Sequence, residues 1–170
     1  IMKLFIYNVF IRIYSLGIRL VAPFHDKAHY FVFGRKNLLR DAKNEIIKNA
    51  DIVWFHCASL GEFEQGRPIM ETLKKRYPSY KILLTFYSPS GYELQKNYGH
   101  ADYIYYLPID TEKNAKEWLD IIEPKVVFFI KYEFWHHMTN EIHRRNIPLF
   151  SVSSIFREGQ IFFKKHGGFN

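Results

Sequence analysis

From Asp51 onward the chain alternates between two hydrophobic periods. Apolar runs of strand length lie at 51–57, 81–87, 103–107, 125–131 and 147–153, and some, such as Val126-Val127-Phe128-Phe129-Ile130, have no polar break. Uninterrupted runs of this kind suit strands buried on both faces. Between them, segments near 62–77, 89–98, 111–122 and 134–145 carry apolar residues at helical spacing, as Phe63, Gly66, Met70, Leu73 and Tyr77 do. The alternation predicts an α/β fold, a Rossmann-like parallel sheet flanked by crossover helices. Pro68 predicts that the first of these helices starts late or kinks, and Asp110 before Thr111-Glu112 reads as a helix N-cap.

The front of the chain has a different pattern. Residues 4–24 are apolar over about the length of a membrane span, yet Asn8, Arg12, Ser15 and Arg19 recur at spacings of four, three and four. That spacing lays one narrow polar stripe along an amphipathic helix. Two arginines make a simple span costly. The expectation is an interfacial helix, lying flat with its stripe toward lipid headgroups, and a helix packed onto protein with its arginines reaching water stands beside it. The arginines also break up the apolar region of a signal peptide. His25 to Arg40 reads as a basic connector, with Gly34-Arg35-Lys36 as a turn entering a helix near 37–49. Residues 1–35 are thus expected to form a membrane-associating helix and connector, and 36–170 the sheet domain.

Charge sharpens this division. Residues 1–50 hold nine Lys/Arg against three Asp/Glu, whereas 51–170 hold fifteen against fourteen. The basic character belongs to the front, which suits an anionic membrane surface and removes the main compositional support for nucleic-acid binding by the sheet domain. The single cysteine, Cys57, excludes an internal disulfide and reads as a buried small hydrophobe. No glycine fingerprint for a dinucleotide or a P-loop occurs. His136, His137 and His143 lack the companions of a zinc set and read as a solvated helix face, and His56 as a hydrogen-bonded core histidine. No metal and no cofactor is expected.

Candidate chemistry gathers where strands end. After the first strand, Ser59-Leu60-Gly61-Glu62 places a carboxylate at the start of a helix, with small residues that let a substrate approach the backbone. An acid there also suits the helix dipole, so a capping role stands beside the chemical one. Ser88, Ser90 and Gly91, in Ser-Pro-Ser-Gly after the second strand, are placed to hold an anionic group or to cap a helix with Pro at its first turn.

Four motifs stand in order: Ser59-Leu60-Gly61-Glu62, Thr85 to Gly91, Tyr106-Leu107-Pro108-Ile109-Asp110, and Tyr132-Glu133-Phe134-Trp135. Together the chain resembles the amino-terminal half of the Kdo (3-deoxy-D-manno-octulosonic acid) transferases of Gram-negative lipopolysaccharide synthesis. The resemblance implies the acceptor-side half of a two-domain, GT-B type glycosyltransferase that moves Kdo from CMP-Kdo to a lipid A precursor (lipid IVA), with inversion. It carries the family's catalytic base onto Glu62, and it implies substrate contacts at Ser59, Gly61, Ser88, Ser90, Gly91, Glu133 and Arg157. It also implies work at the cytoplasmic face of the bacterial inner membrane, and a carboxyl-terminal donor domain beyond this chain, without which residues 1–170 are expected to bind lipid but not transfer sugar. One departure is plain: where many members read Glu-x-Glu-Leu-Trp, this chain has Lys131 in place of the first acid, so that acid's role does not carry over. The rival reading is a non-catalytic, membrane-docked lipid-binding module with a flavodoxin-like sheet, in which Glu62 is only a helix cap.

Overall fold

A computed structural model describes residues 2–154. Three helices, α1 (Met2–Val21), α2 (Asp26–Phe33) and α3 (Leu38–Glu45), precede the sheet. Then follow β1 (Ile52–Cys57), α4 (Leu60–Arg76), β2 (Lys81–Phe86), α5 (Pro89–Gln95), β3 (Tyr103–Tyr106), α6 (Glu112–Ile122), β4 (Val126–Ile130), α7 (His136–Arg144) and β5 (Leu149–Val152). All pairings are parallel and the strand order is β3-β2-β1-β4-β5. This is the order of a Rossmann half, and its direction of winding reverses between β1 and β4.

Side-chain alternation divides the core into two layers. Ile52, Trp54, Leu83, Val127 and Phe129 pack with Leu38, Ala42, Trp118, Leu119, Met138 and Ile142, so α3, α6 and α7 cover one face. Val53, Phe55, Cys57, Ile82, Leu84 and Phe86 pack with Phe63 and Met70 of α4 on the other. Burial on both sides accounts for the unbroken apolar runs, since every strand position needs an apolar partner above or below.

Several local expectations are corrected. The segment His25–Arg40 is not a plain connector: it holds α2, whose Phe31 is buried against the rings of Tyr14 and Tyr87. A helix of eight residues is too short to be stable alone, so this packing sustains it. Pro68 does not delay the start of α4, which runs from Leu60 through it to Arg76. Pro68 and Glu64 are both exposed, so the carbonyl that loses its donor faces water. Thr111, not Asp110, caps α6, its hydroxyl accepting from the Asn114 N–H at 3.2 Å.

Asp110 has a longer reach. It is 1% exposed and accepts from the backbone N–H groups of His137 (3.0 Å) and Met138 (2.9 Å), capping α7 from outside, and from the Tyr7 hydroxyl of α1. Beside it, His137 Nε2 meets Asn8 Oδ1 at 2.6 Å. His137 is therefore buried and bonded rather than solvated, and Asn8 turns toward protein rather than headgroups. Ser15 and Ile11 face the same way, while Arg12 and Arg19 stay exposed on one flank of α1. The polar stripe is thus split between a protein-facing part and a cationic edge. The opposite arc of α1, with Phe5, Ile6, Phe10, Ile13, Leu16 and Leu20 all more than half exposed, is apolar and uncovered among the described residues.

Candidate active site

The winding reverses between β1 and β4, and the carboxyl ends of those two strands mark the switch point at which sheets of this kind bind ligands. The segments that emerge there are Ala58 to Glu62, after β1, and Lys131 to Trp135, after β4. Glu62 stands at the third position of α4 in a capping box with Ser59. The Ser59 N–H donates to Glu62 Oε2 at 3.0 Å, and the Ser59 hydroxyl donates to the same oxygen. The second oxygen, Oε1, lies 3.5 Å from Lys131 Nζ. Burial would raise the Glu62 pKa, but the Ser59 hydrogen bond and the Lys131 ammonium outweigh it and hold the carboxyl below its ordinary value. Capping and the ion pair with Lys131 are thus divided between the two oxygens of one carboxylate.

Lys131 is held unusually. Its φ of 66° lies in the left-handed region, which costs a β-carbon-bearing residue about 1 kcal/mol or more. The backbone is pinned on both sides: its N–H donates to Val152 O at 2.7 Å, and its carbonyl accepts from the hydroxyls of Ser151 (3.1 Å) and Ser154 (2.8 Å). That conformation turns the chain out of the sheet at the point where the ammonium reaches Glu62.

Behind this rim lies a polar network that the strand pattern did not announce. Thr85 is buried and accepts from Trp54 Nε1 at 2.8 Å. His56, wholly buried, has Nδ1 2.9 Å from the Thr85 hydroxyl and Nε2 3.2 Å from Glu133 Oε2. Trp135 Nε1 donates to that same Glu133 oxygen at 2.7 Å. With its proton on Nε2, His56 donates to Glu133 and accepts from Thr85, so both ring nitrogens are satisfied. Glu133 is thereby fixed at the switch point. His56, expected as a hydrogen-bonded core histidine, is one. His56 and Thr85, each a polar residue inside an apolar run, were the sequence signals of this network.

The other candidate residues divide. Ser88 caps α5, its Oγ accepting from the Ser90 N–H at 3.3 Å, and the two hydroxyls lie 2.9 Å apart. Gly91 is buried where a Cβ would lie 2.4 Å from Phe86 Cδ1 and 3.1 Å from the carbonyl carbon of Ser59, so the second motif braces the first. A Cβ on Gly61 would meet only Ser59 Oγ at 3.9 Å, which leaves that side of the turn open. Arg157 lies outside the described residues. Among the described residues no three His, Cys, Asp or Glu side chains gather as metal ligands. Cys57 lies at the end of β1, and burial first, then Glu62 and Glu133, push its thiol far above the usual range, so it is inert as a nucleophile.

Fold and site together define a Rossmann-type α/β domain presenting a paired carboxylate at its switch point. Residues 30–166 match the family described as 3-deoxy-D-manno-octulosonic-acid transferase (kdotransferase), and the chain belongs to that family. Relatives named 3-deoxy-D-manno-octulosonic acid transferase include those of Haemophilus influenzae, 29% identical over 64% of this chain and 27% of the relative, and of Aquifex aeolicus, 34% identical over 58% and 28%. That of Chlamydia trachomatis serovar D is 25% identical over 63% of this chain and 25% of its own length. The chain therefore spans about a quarter of the length of these relatives.

Proposed function

We propose that this chain forms the amino-terminal, acceptor-side half of a GT-B glycosyltransferase that moves Kdo from CMP-Kdo onto lipid IVA with inversion, using Glu62 as general base. The observation that carries the reading is the division of labour on Glu62: Oε2 is committed to Ser59, while Oε1 stands at the switch point. In the step, Oε1 takes the proton of an acceptor hydroxyl as that oxygen attacks the anomeric carbon. The new C–O bond forms as the bond to the nucleotide phosphate breaks, the proton stays on Glu62, and CMP departs with the electron pair on the opposite face. Ionisation of Glu62 in the resting state suits a proton acceptor, and His56, Thr85 and Trp135 keep the neighbouring Glu133 oriented. The nucleotide is held by a carboxyl-terminal half outside this chain, and no metal or cofactor takes part.

The uncovered apolar arc of α1 suits a lipid surface, with Arg12 and Arg19 on its flank placed for anionic headgroups. The site of action is then the cytoplasmic face of the inner membrane.

The test compares the complete enzyme with its Glu62→Gln variant on CMP-Kdo and lipid IVA, reading product by mass. Transfer by the wild type and a fall of about a hundredfold or more in the variant, with folding unchanged, is the expected result. Equal product from both refutes Glu62 as base, and intact function without transfer in either favours the lipid-binding module. For the membrane, Phe5→Asp with Phe10→Asp is expected to release the protein from vesicles containing anionic phospholipid. Undiminished sedimentation with those vesicles refutes docking through α1.

A further inference from the structure

We propose that Lys131 is a two-faced positioning residue, which holds Glu62 Oε1 before donor binds and gives up that contact to the carboxylate of the incoming sugar donor. The inference rests on the transferase reading above and adds to it a residue that sets donor recognition.

The first observation is geometric. Lys131 Nζ sits 3.5 Å from Glu62 Oε1, the oxygen that Ser59 leaves free, so an acceptor hydroxyl and the ammonium compete for one atom. The ammonium lowers the proton affinity of Oε1, so the carboxylate becomes a stronger base once the ammonium has moved away. Among the described residues Lys131 is the cation at this carboxylate, and the other titratable groups around it are the buried Cys57 thiol and, beyond that, Glu133, which is engaged by His56 and Trp135.

The second observation is that the backbone of Lys131 is strained and pinned. Its left-handed φ of 66° is held by Val152, Ser151 and Ser154, so the root of the side chain is fixed at the switch point, while the side chain itself is 37% exposed. Strain retained in this way marks a position whose geometry is in use. A fixed root carrying a partly exposed side chain with four rotatable bonds lets the ammonium swing between two anions.

The third step is chemical. The attacked carbon of a 2-keto-sugar donor such as Kdo bears a carboxylate. A base oxygen within about 3 Å of the hydroxyl oxygen, itself about 3–3.5 Å from the attacked carbon, puts that carbon no more than about 6.5 Å from Oε1. The carboxylate on it then falls within the sweep of an ammonium that rests 3.5 Å from Oε1. When the donor arrives, the ammonium moves to the new anion, Oε1 is released, and the hydroxyl takes its place. No bond is made or broken by Lys131, which only changes its ionic partner. The base is thus unmasked when donor is present and guarded when it is absent.

The experiment uses the complete enzyme as wild type, Lys131→Met, Lys131→Arg and Glu62→Gln, with steady-state kinetics from acid to alkaline pH. In Lys131→Met, KM for CMP-Kdo is expected to rise about tenfold while KM for lipid IVA stays put. Inhibition by CMP, which lacks the sugar carboxylate, is expected to be the same in Lys131→Met and wild type. The acid limb of kcat/KM is expected to move to higher pH, because Glu62 no longer has the ammonium to favour its charged form. Lys131→Arg is expected to restore most of both effects, which a merely structural ion pair outside the donor site would not produce. If Glu62→Gln loses activity while Lys131→Met keeps the wild-type donor KM and acid limb, this proposal is refuted alone. Full activity in Glu62→Gln refutes the base assignment and this proposal with it.

Discussion

Replacing Asp110 by alanine strikes the point where three distant parts of the chain meet. The Asp110 carboxylate is 1% exposed, and among the described residues its partners are Tyr7 of α1 and the N–H groups of His137 and Met138. No Lys or Arg among them pairs with it, so the first turn of α7 supplies the compensating positive potential. Each net hydrogen bond to a charged group contributes about 1.5–3 kcal/mol, and loss of a helix cap costs about 1–2 kcal/mol. These count the same N–H groups in part, so Asp110→Ala is expected to cost about 3–4 kcal/mol, a large share of a typical total of about 5–15. For a chain of this size that lowers Tm by roughly 10 °C. Asp110→Asn keeps one acceptor and is expected to cost about 1–2 kcal/mol, and Tyr7→Phe about 1. Because Tyr7 and Asp110 touch, the double variant should cost about 1 kcal/mol less than the sum of the singles. Urea unfolding followed by tryptophan fluorescence reads these values, provided the m-value stays constant. An Asp110→Ala protein within 1 kcal/mol of wild type, or strict additivity with Tyr7→Phe, would refute the account of how α1 and α7 are tied together.

Three further outcomes are expected. Gly91→Ala forces a methyl against Phe86 and the Ser59 turn, and despite a better helix propensity it should lose about 1–2 kcal/mol by thermal unfolding and also lower activity, since the turn carries Glu62; a more stable and fully active variant would contradict this. Thr85→Val leaves the Trp54 and His56 ring nitrogens without their shared partner, at a cost of about 2–3 kcal/mol measured in urea; a cost near zero would show that the network is not closed through Thr85. Glu141, buried and hydrogen-bonded first to Arg144 and then to Arg145, has its carboxyl pushed down to about 2. Because the folded pKa is depressed, its stabilisation is complete above the ordinary carboxyl range near 4.5 and is lost as pH falls toward 2. After screening at the exposed Arg144, roughly 1–2 kcal/mol should separate wild type from Glu141→Gln at neutral pH and vanish in that acid window, and a difference independent of pH would count against the pairing.

Much of this molecule is legible in one dimension. The five strands, the four helices between them, the helix-start place of Glu62 and the capping at Ser88 follow from local period and turn chemistry, because each is decided by residues a few positions apart. The Lys131 departure could also be seen in the chain, since it is a mismatch within a motif. Its partner could not: Glu62 lies on α4, and only the β1–β4 pairing brings the two together. The same limit hid the His56–Thr85–Glu133–Trp135 network and the Asp110 cap on α7, whose partners sit on separate elements.

The front segment shows the boundary most clearly. By itself the sequence determined that α1 would be a helix with a narrow polar stripe and basic flanks, because composition and periodicity are properties of the segment alone. Which side of that stripe meets protein was decided by Tyr7 and Asn8 finding Asp110 and His137, more than a hundred residues away. Periodicity records which residues share a face. What covers that face is set by the packing of the whole chain, where the buried carboxylate of Asp110 and the ring of His137 need partners that α1 supplies.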